Sequence, residues 1–489
     1  MGTETKPKNA AFFARNEVTA NWNSAARSMD FWAAKRHDRD IPDGMLTLVY
    51  EARYFIRKYK EFFSTVQLEP EDLDEYNDTT LINRALDVAL EEWDTIRHAL
   101  EQRENPRYQK TLPELDTLAF ECLSPLFGED KLNNIYTYVH KLFDIKRFAF
   151  SHTPLIGAPY EALHAPESWL AIPHETGHYI FWNGTSTFET FNHFYLVLQN
   201  SLLRAIESSL RERVSGGYFR RKGQVFQTWL NWMNEIFADV FGTLVAGPAY
   251  AWSMQARLRA RLNVRDLYHS HEEPTHPDPF IRPFFHINTL REMAIAHQGN
   301  FAYQLQEEAD SLESSWKASW LEADVDILER LPTPDNIGVI VDILNNEVPK
   351  VVSEILNVDL GENLTSTLLE YSKAGALYNP DMHIRINQIA DEVVSGNKVQ
   401  VDSPLVKSAT AQMAIVKGAD PIQVHLALGF EGAEDTLEND EELNTQFNEF
   451  LKNVTGQSNL AEQLKNWRRV LRYSLDEQDF HWHSHTHYH

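Results

Sequence analysis

"VFQTWLNWMNEIFADVFGTL", residues 225 to 244, places apolar side chains at 225, 226, 229, 230, 232, 233, 236, 237, 240 and 241. Steps of three and four mark an α-helix, and these positions cover nearly its whole circumference, so the helix is expected to be buried. Two carboxylates, Glu235 and Asp239, sit on it one turn apart. A buried carboxylate needs a cation, a metal or hydrogen-bond donors to offset its lost hydration. No Lys or Arg lies between 223 and 256 to serve locally. The partners must come from elsewhere in the chain, either as a metal site or as buried salt bridges.

Working back from that helix, "AIPHETGHYIFW" (171 to 182) supplies the counterpart. His174 and His178 are four residues apart, hence on one helical face, and can offer two imidazole nitrogens to one ion. Glu175 projects beside them, where it could act as a base. Gly177 leaves room for another element to pack close. Pro173 suits either the first turn of a helix or a kink in one begun at Pro166. Such an ion lacks a third ligand, which Glu235 provides. Asp239, one turn on, is placed to accept the second ring N–H of a ligating histidine, with His174 the expected partner.

The pair of motifs, "HETGH" followed far downstream by "EIFAD", resembles the gluzincin zinc metallopeptidases, H-E-x-x-H then E-x-x-A-D. The long gap and the later "THPDPFIR" (275 to 282) resemble the HtpX-type branch of that group, though without its transmembrane helices. The likeness covers about residues 145 to 295. It implies one Zn²⁺ per chain held by His174, His178 and Glu235, and peptide hydrolysis by metal-activated water with Glu175 as general base. The oxyanion needs a further donor, for which His276 and Arg282 are the candidates. For both, a structural role, Arg282 pairing with an acid and His276 capping a helix, stays open.

Bulk properties narrow the rest. The chain has 489 residues, 43% of them apolar, enough for a large core. A net charge of −26 argues against nucleic acid and anionic membrane surfaces. The longest apolar stretch, "VFGTLVAGPAYAWSM" (240 to 254), is too short to span a bilayer and is broken by Gly242, Gly247 and Pro248. Residues 1 to 18 form no signal peptide, and Lys6 spoils a myristoylation motif at Gly2. A soluble cytoplasmic protein is expected, with a peptide or protein substrate and room for a protein regulator. The lone cysteine, Cys122, is read as a buried inert thiol, with a latent plug of the zinc site as the other reading.

Organisation follows from periodicity. Residues 45 to 63, 80 to 102 and 131 to 148 all read as amphipathic helices, and "FAFSHTPLIGAP" (148 to 159) as a strand whose edge could pair with a substrate backbone. Long helices are expected after Asn183-Gly184 up to Gly216-Gly217, then over 224 to 244, and again near 336 to 356. Residues 431 to 442 read as an acidic solvated stretch, and "HWHSHTHYH" (481 to 489) as a possible appendage. The expectation is a mainly α protein: an N-terminal helical region (1 to 125), a zincin-like core with a small edge strand or sheet (126 to 300), a C-terminal helical region (301 to 480) and the tail (481 to 489). Two other functions stay open. A di-iron helical oxidase would use Glu175/His178 with Glu273/His276. A non-catalytic zinc-bearing scaffold would use its acidic surface to hold a partner protein. A second metal in the His269, His271, His276 loop is a further possibility.

Overall fold

The computed structural model describes residues 8–35, 41–65, 78–127, 135–148, 150–183, 191–213, 218–261, 276–277, 281–322, 346–358 and 367–430. Met1–Phe430 make one compact unit, and a second unit, Glu431–His489, lies wholly outside the described residues. The acidic stretch, the histidine tail, Gly2, Gly216-Gly217, His269, His271, Glu273 and residues 336 to 345 are likewise outside them.

The chain is mainly helical, with one small sheet. Helices α1 (Lys8–Ala34), α2 (Asp43–Thr65), α3 (Asp78–Arg103) and α4 (Thr111–Phe127) come first. Strands β1 (Tyr136–His140), β2 (Asp144–Phe148) and β3 (Ser151–Pro159) follow. The two 3₁₀ turns Tyr160–Leu163 and Pro166–Ala171 lead into α5 (Ile172–Asn183), α6 (Phe191–Arg213), α7 (Tyr218–Arg261), α8 (Arg282–Ala296) and α9 (Gly299–Glu322). The remaining described helices are α10 (Val348–Asn357), α11 (Leu368–Lys373), α12 (Pro380–Val394), α13 (Pro404–Val416) and α14 (Pro421–Ala427).

The sheet corrects two expectations. Residues 136 to 148 are not helical but form β1 and β2. Tyr136, Tyr138 and Phe148 face one apolar core while Val139, Phe143 and Ile145 pack against the other, so the run is apolar on both faces and its helical-looking period is accidental. The strand at 151 to 159 is central, with the order β1-β3-β2. β1 runs parallel to it (Tyr136 opposite Leu155) and β2 antiparallel (Ile145 opposite Ile156), so both of its edges are taken and β3 is no site for an added strand.

Two apolar clusters flank the sheet. The smaller joins Trp22, Met29 and Trp32 of α1, Met45 and Leu48 of α2 and Trp93 and Ile96 of α3 to the sheet face carrying Tyr136, Tyr138 and Leu155. The larger runs from α4 through α5 to α10 and on to α14, with Trp169, Phe237, Phe241, Phe285 and Trp316 buried in it. Inside it α5 lies against α7 at Gly177: a Cβ there would stand 2.7 Å from the Cα of Ala238. Only glycine permits that approach, and it sets the histidine-bearing helix directly on the carboxylate-bearing one.

Helix α7 bends where the sequence says it must. Gly247 is non-helical (φ 58°, ψ −142°) and Pro248 follows. Proline removes the amide that would bond the carbonyl four residues back. That carbonyl, Leu244, instead accepts the backbone N–H of Tyr378 at 2.9 Å. Past the bend Tyr250 folds back over Gly242, where a Cβ would come within 2.5 Å of its ring.

Candidate metal centre

His174, His178 and Glu235 form a buried group able to hold a metal ion. The two histidines project from α5 one turn apart and Glu235 meets them from α7. Their Nε2 atoms face each other at 3.1 Å. Glu235 Oε2 lies 3.4 Å from His174 Nε2, and its Oε1 3.4 Å from His178 Nε2. Each ring is fixed from behind. His174 Nδ1 is 3.1 Å from Asp239 Oδ1, and His178 Nδ1 is 2.9 Å from Asn234 Oδ1. Each Nδ1 thus donates its proton outward and turns Nε2 toward the common centre. Three donor atoms converge there, and a cation taking the site would displace the one proton that His174 Nε2 carries in the metal-free protein.

Electrostatics follow from burial and these contacts. His174 loses hydration, yet its bonds to Asp239 and Glu235 outweigh that loss and raise its pKa to about 10. His178 has no such pair of anions, and burial lowers it to about 4. Glu235 is desolvated too, but the neighbouring His276, His178 and His174 hold it well below the usual carboxylate range. Glu175 is pushed up to about 8, chiefly by burial, with Asp144 and Glu235 adding to the rise.

Against known protein families, characterised proteins and solved structures, the chain has no match. The site is therefore read from its own residues.

Arg282 opens α8 and is nearly buried. Its Nε and Nη2 grip Asp239 at 2.9 and 2.8 Å, and Nη2 comes within 3.5 Å of Glu235. This fork holds Asp239 far below the ordinary carboxylate range against the cost of burial. Arg282 thereby acts through Asp239 and His174, as the structural pairing left open in the sequence allowed. His276 stands on the more open side, partly exposed, with Nε2 3.2 Å from Glu235 Oε1. It borders the ligand carboxylate and the approach to the site.

Several contributors were not visible in the sequence. Tyr250 offers its hydroxyl to Asp239 Oδ1 and sits equally close, 3.3 Å, to His174 Nδ1. The bend at Gly247-Pro248 and the room left by Gly242 were its only signals. Asn234 precedes Glu235 by one residue and escaped notice because it is no ligand. His286, one turn beyond Arg282, is buried with Nδ1 3.1 Å from Thr243 Oγ1, and burial lowers its pKa to about 4. Trp182 stacks on the His178 ring. Cys122 is buried on α4, its thiol pushed well up by burial, and its bond goes to Thr176 instead of to the ligand cluster. Among the described residues no helix is long and apolar enough to cross a membrane.

Proposed function

We propose that the chain is a zinc-dependent metallopeptidase that cleaves peptide bonds internally, with Glu175 as its general base. The observation that carries the reading is Glu175 itself: a buried carboxyl one residue from His174, beside a three-donor group able to hold a metal ion. A metal clip that only staples helices has no need of such a group.

The donor spacing supports zinc. Tetrahedral bonds of about 2.0–2.1 Å put ligand atoms about 3.4 Å apart, and two imidazoles with one carboxylate are a familiar catalytic zinc set that leaves a fourth position open. Calcium, with bonds of about 2.3–2.6 Å and a liking for oxygen, fits this nitrogen-rich pocket poorly. When bound, the ion supplies Lewis acidity and lowers the pKa of water at the site. Glu175 accepts the proton at its carboxylate and returns it to the leaving nitrogen. Asp239 and Asn234 keep both imidazoles in the ligating tautomer. Arg282 fixes Asp239, and His276 lies at the open side as the candidate donor to the developing oxyanion. The substrate is a peptide or protein, and the helices packed on both sides of the core favour restricted or regulated access.

The test is metal content by mass spectrometry on protein lacking residues 481–489, together with two substitutions. About one zinc per chain is expected, lost in Glu235→Ala. Glu175→Gln should keep the zinc and lower kcat on a cleaved peptide by about 10²–10⁴-fold. Two irons per chain, or undiminished cleavage by Glu175→Gln, would overturn the assignment.

A further inference from the structure

The face of α5 that holds the ligands does not end at His178. Trp182 stands four residues further on, as His178 does from His174. Its indole lies nearly parallel to the His178 imidazole, with centroids 5.4 Å apart and planes inclined by 15°. Over the Trp182 ring lies the guanidinium of Arg147, 4.2 Å from the centroid. Arg147 is carried by β2, which among the described residues pairs only with β3 and so leaves its outer edge open. Ile145, two residues earlier, packs against the core that contains α5 and α7.

Arg147 differs from the arginines that sit in ion pairs at the two cores. Arg97, Arg103, Arg282 and Arg291 each hold a carboxylate. Arg147 is exposed and touches none among the described residues, although the chain carries a net charge of −26. Partial desolvation lowers its pKa, and no anion offsets the effect. An arginine stacked flat on an aromatic ring has its side chain ordered in advance and keeps its N–H edge free for a planar bidentate acceptor.

We propose that Arg147 is a substrate-recognition residue whose guanidinium, laid on Trp182, receives a carboxylate of the bound peptide beside the bond to be cleaved. The proposal rests on the peptidase reading above and adds to it a substrate class. The carboxylate is either an Asp or Glu side chain or the peptide's own C-terminus. Arg147 is separated from the ligand His178 by a single ring, so at about 3.3 Å per extended residue the recognised group lies within a few residues of the scissile bond. The open edge of β2 offers the peptide backbone a partner in the same place.

The experiment is equilibrium binding by fluorescence anisotropy to the zinc-loaded full chain carrying Glu175→Gln. The probes are fluorescein-labelled hexapeptide pools with Glu, Gln or Lys at fixed positions, each with a free or an amidated C-terminus. A preference of about ten- to a hundredfold is expected for Glu over Gln pools, or for free over amidated ones, as for a charge-assisted bidentate contact. The first result assigns a side chain and the second a C-terminal carboxylate. Adding Arg147→Gln should bring the ratio to about one, and adding Arg147→Glu should turn the preference toward Lys. Because the readout is a ratio between pools, a reduced folded fraction leaves it unchanged. Binding to no pool, no preference in the parent, or a preference that survives Arg147→Gln overturns the proposal. If the chain with Glu175 restored binds the carboxylate pools through Arg147 yet cleaves none, the recognition site stands and the peptidase reading falls.

Discussion

Two arginine–aspartate clasps, one tying α3 and α4 to β1 and one between α7 and α8, look alike but end on different groups. In the first, Arg103 of α3 grips Asp116 of α4 at 2.6 and 3.0 Å. Asp116 also accepts the backbone N–H and the hydroxyl of Thr137, both at 2.7 Å, and Arg103 donates to the Thr137 carbonyl. Every contact returns to backbone or hydroxyl groups, so the unit closes on itself and pins β1 to two helices. In the second, Arg282 grips Asp239 with the same fork, but the carboxylate's remaining contacts are Tyr250 and the imidazole of His174. That clasp opens onto a ring whose other nitrogen faces the metal pocket. A buried ion pair repays its desolvation only through further bonds. Here the identity of those bonds separates a closed bracket from one that reaches the candidate metal pocket.

Breaking each clasp tests the distinction most severely. Arg103→Met and Arg282→Met each take the bidentate partner from a carboxylate, at a cost of up to about 3–5 kcal/mol in urea denaturation, larger for the fully buried Asp239 than for the part-buried Asp116. Their effects on metal should diverge. Arg282→Met releases Asp239 from its fixed position behind His174 and should weaken zinc binding about 10–100-fold in competition with a chelator. Arg103→Met should leave zinc affinity unchanged in whatever protein remains folded. Equal losses of affinity in the two variants would show that the clasps are not different in kind.

Protons give a second, smaller separation. In the metal-free protein His178 and His286 are both lowered to about 4 by burial, against about 6.5 in the unfolded chain. Between pH 4 and 6.5 the unfolded state therefore binds more protons, and stability rises with pH by up to about 1.4 kcal/mol per unit for each histidine. His174 works in the opposite sense. Its pKa is raised to about 10, so its contribution is complete below 6.5 and is lost as pH climbs through 10. Metal-free protein should be most stable near pH 6.5 in denaturant titrations. Glu175, raised to about 8, holds a proton in the folded but not the unfolded state above about pH 4.5 and so cancels one histidine's share of the acid-side slope. His286→Gln, which touches no ligand, should therefore remove most of what remains between pH 4.5 and 6.5. An unchanged slope would mean that His286 is already charged in the folded state.

How much of this was legible follows from the kind of signal each residue leaves. His174, His178, Glu235 and Asp239 are brought together as their spacing suggested, because each pair repeats at one helical turn and a charge in an apolar helix is conspicuous. Gly177 was readable for the same reason, as the sole residue small enough for the α5–α7 contact. The sheet was half legible. "SHTPLIGAP" shows as a strand, but "IYTYVH" and "FDIKRF" carry apolar residues for two cores at once, and a pattern filled on both faces has no period to read. Tyr250 and the Arg147–Trp182 stack depend on a bend and on a strand crossing a helix. Both are products of tertiary structure, and no local spacing encodes them.

The finest test applies one substitution, Tyr→Phe, on both sides of the sheet. Tyr138 is buried in the smaller core, and its hydroxyl has no hydrogen-bond partner among the described residues. Removing that oxygen relieves an unpaid desolvation, so Tyr138→Phe should be neutral or stabilising by about 1 kcal/mol. Tyr250 is equally buried, but its hydroxyl, kept protonated by burial, donates to Asp239. Phenylalanine keeps the ring over Gly242 and withdraws one of the bonds that orient Asp239. Tyr250→Phe should therefore cost about 1 kcal/mol in stability and less than about tenfold in zinc affinity, well short of Arg282→Met, because Arg282 still holds both oxygens of Asp239. If the two phenylalanine variants shifted stability by the same amount in the same direction, burial alone would govern both hydroxyls, and Tyr250 would have no part in aligning His174.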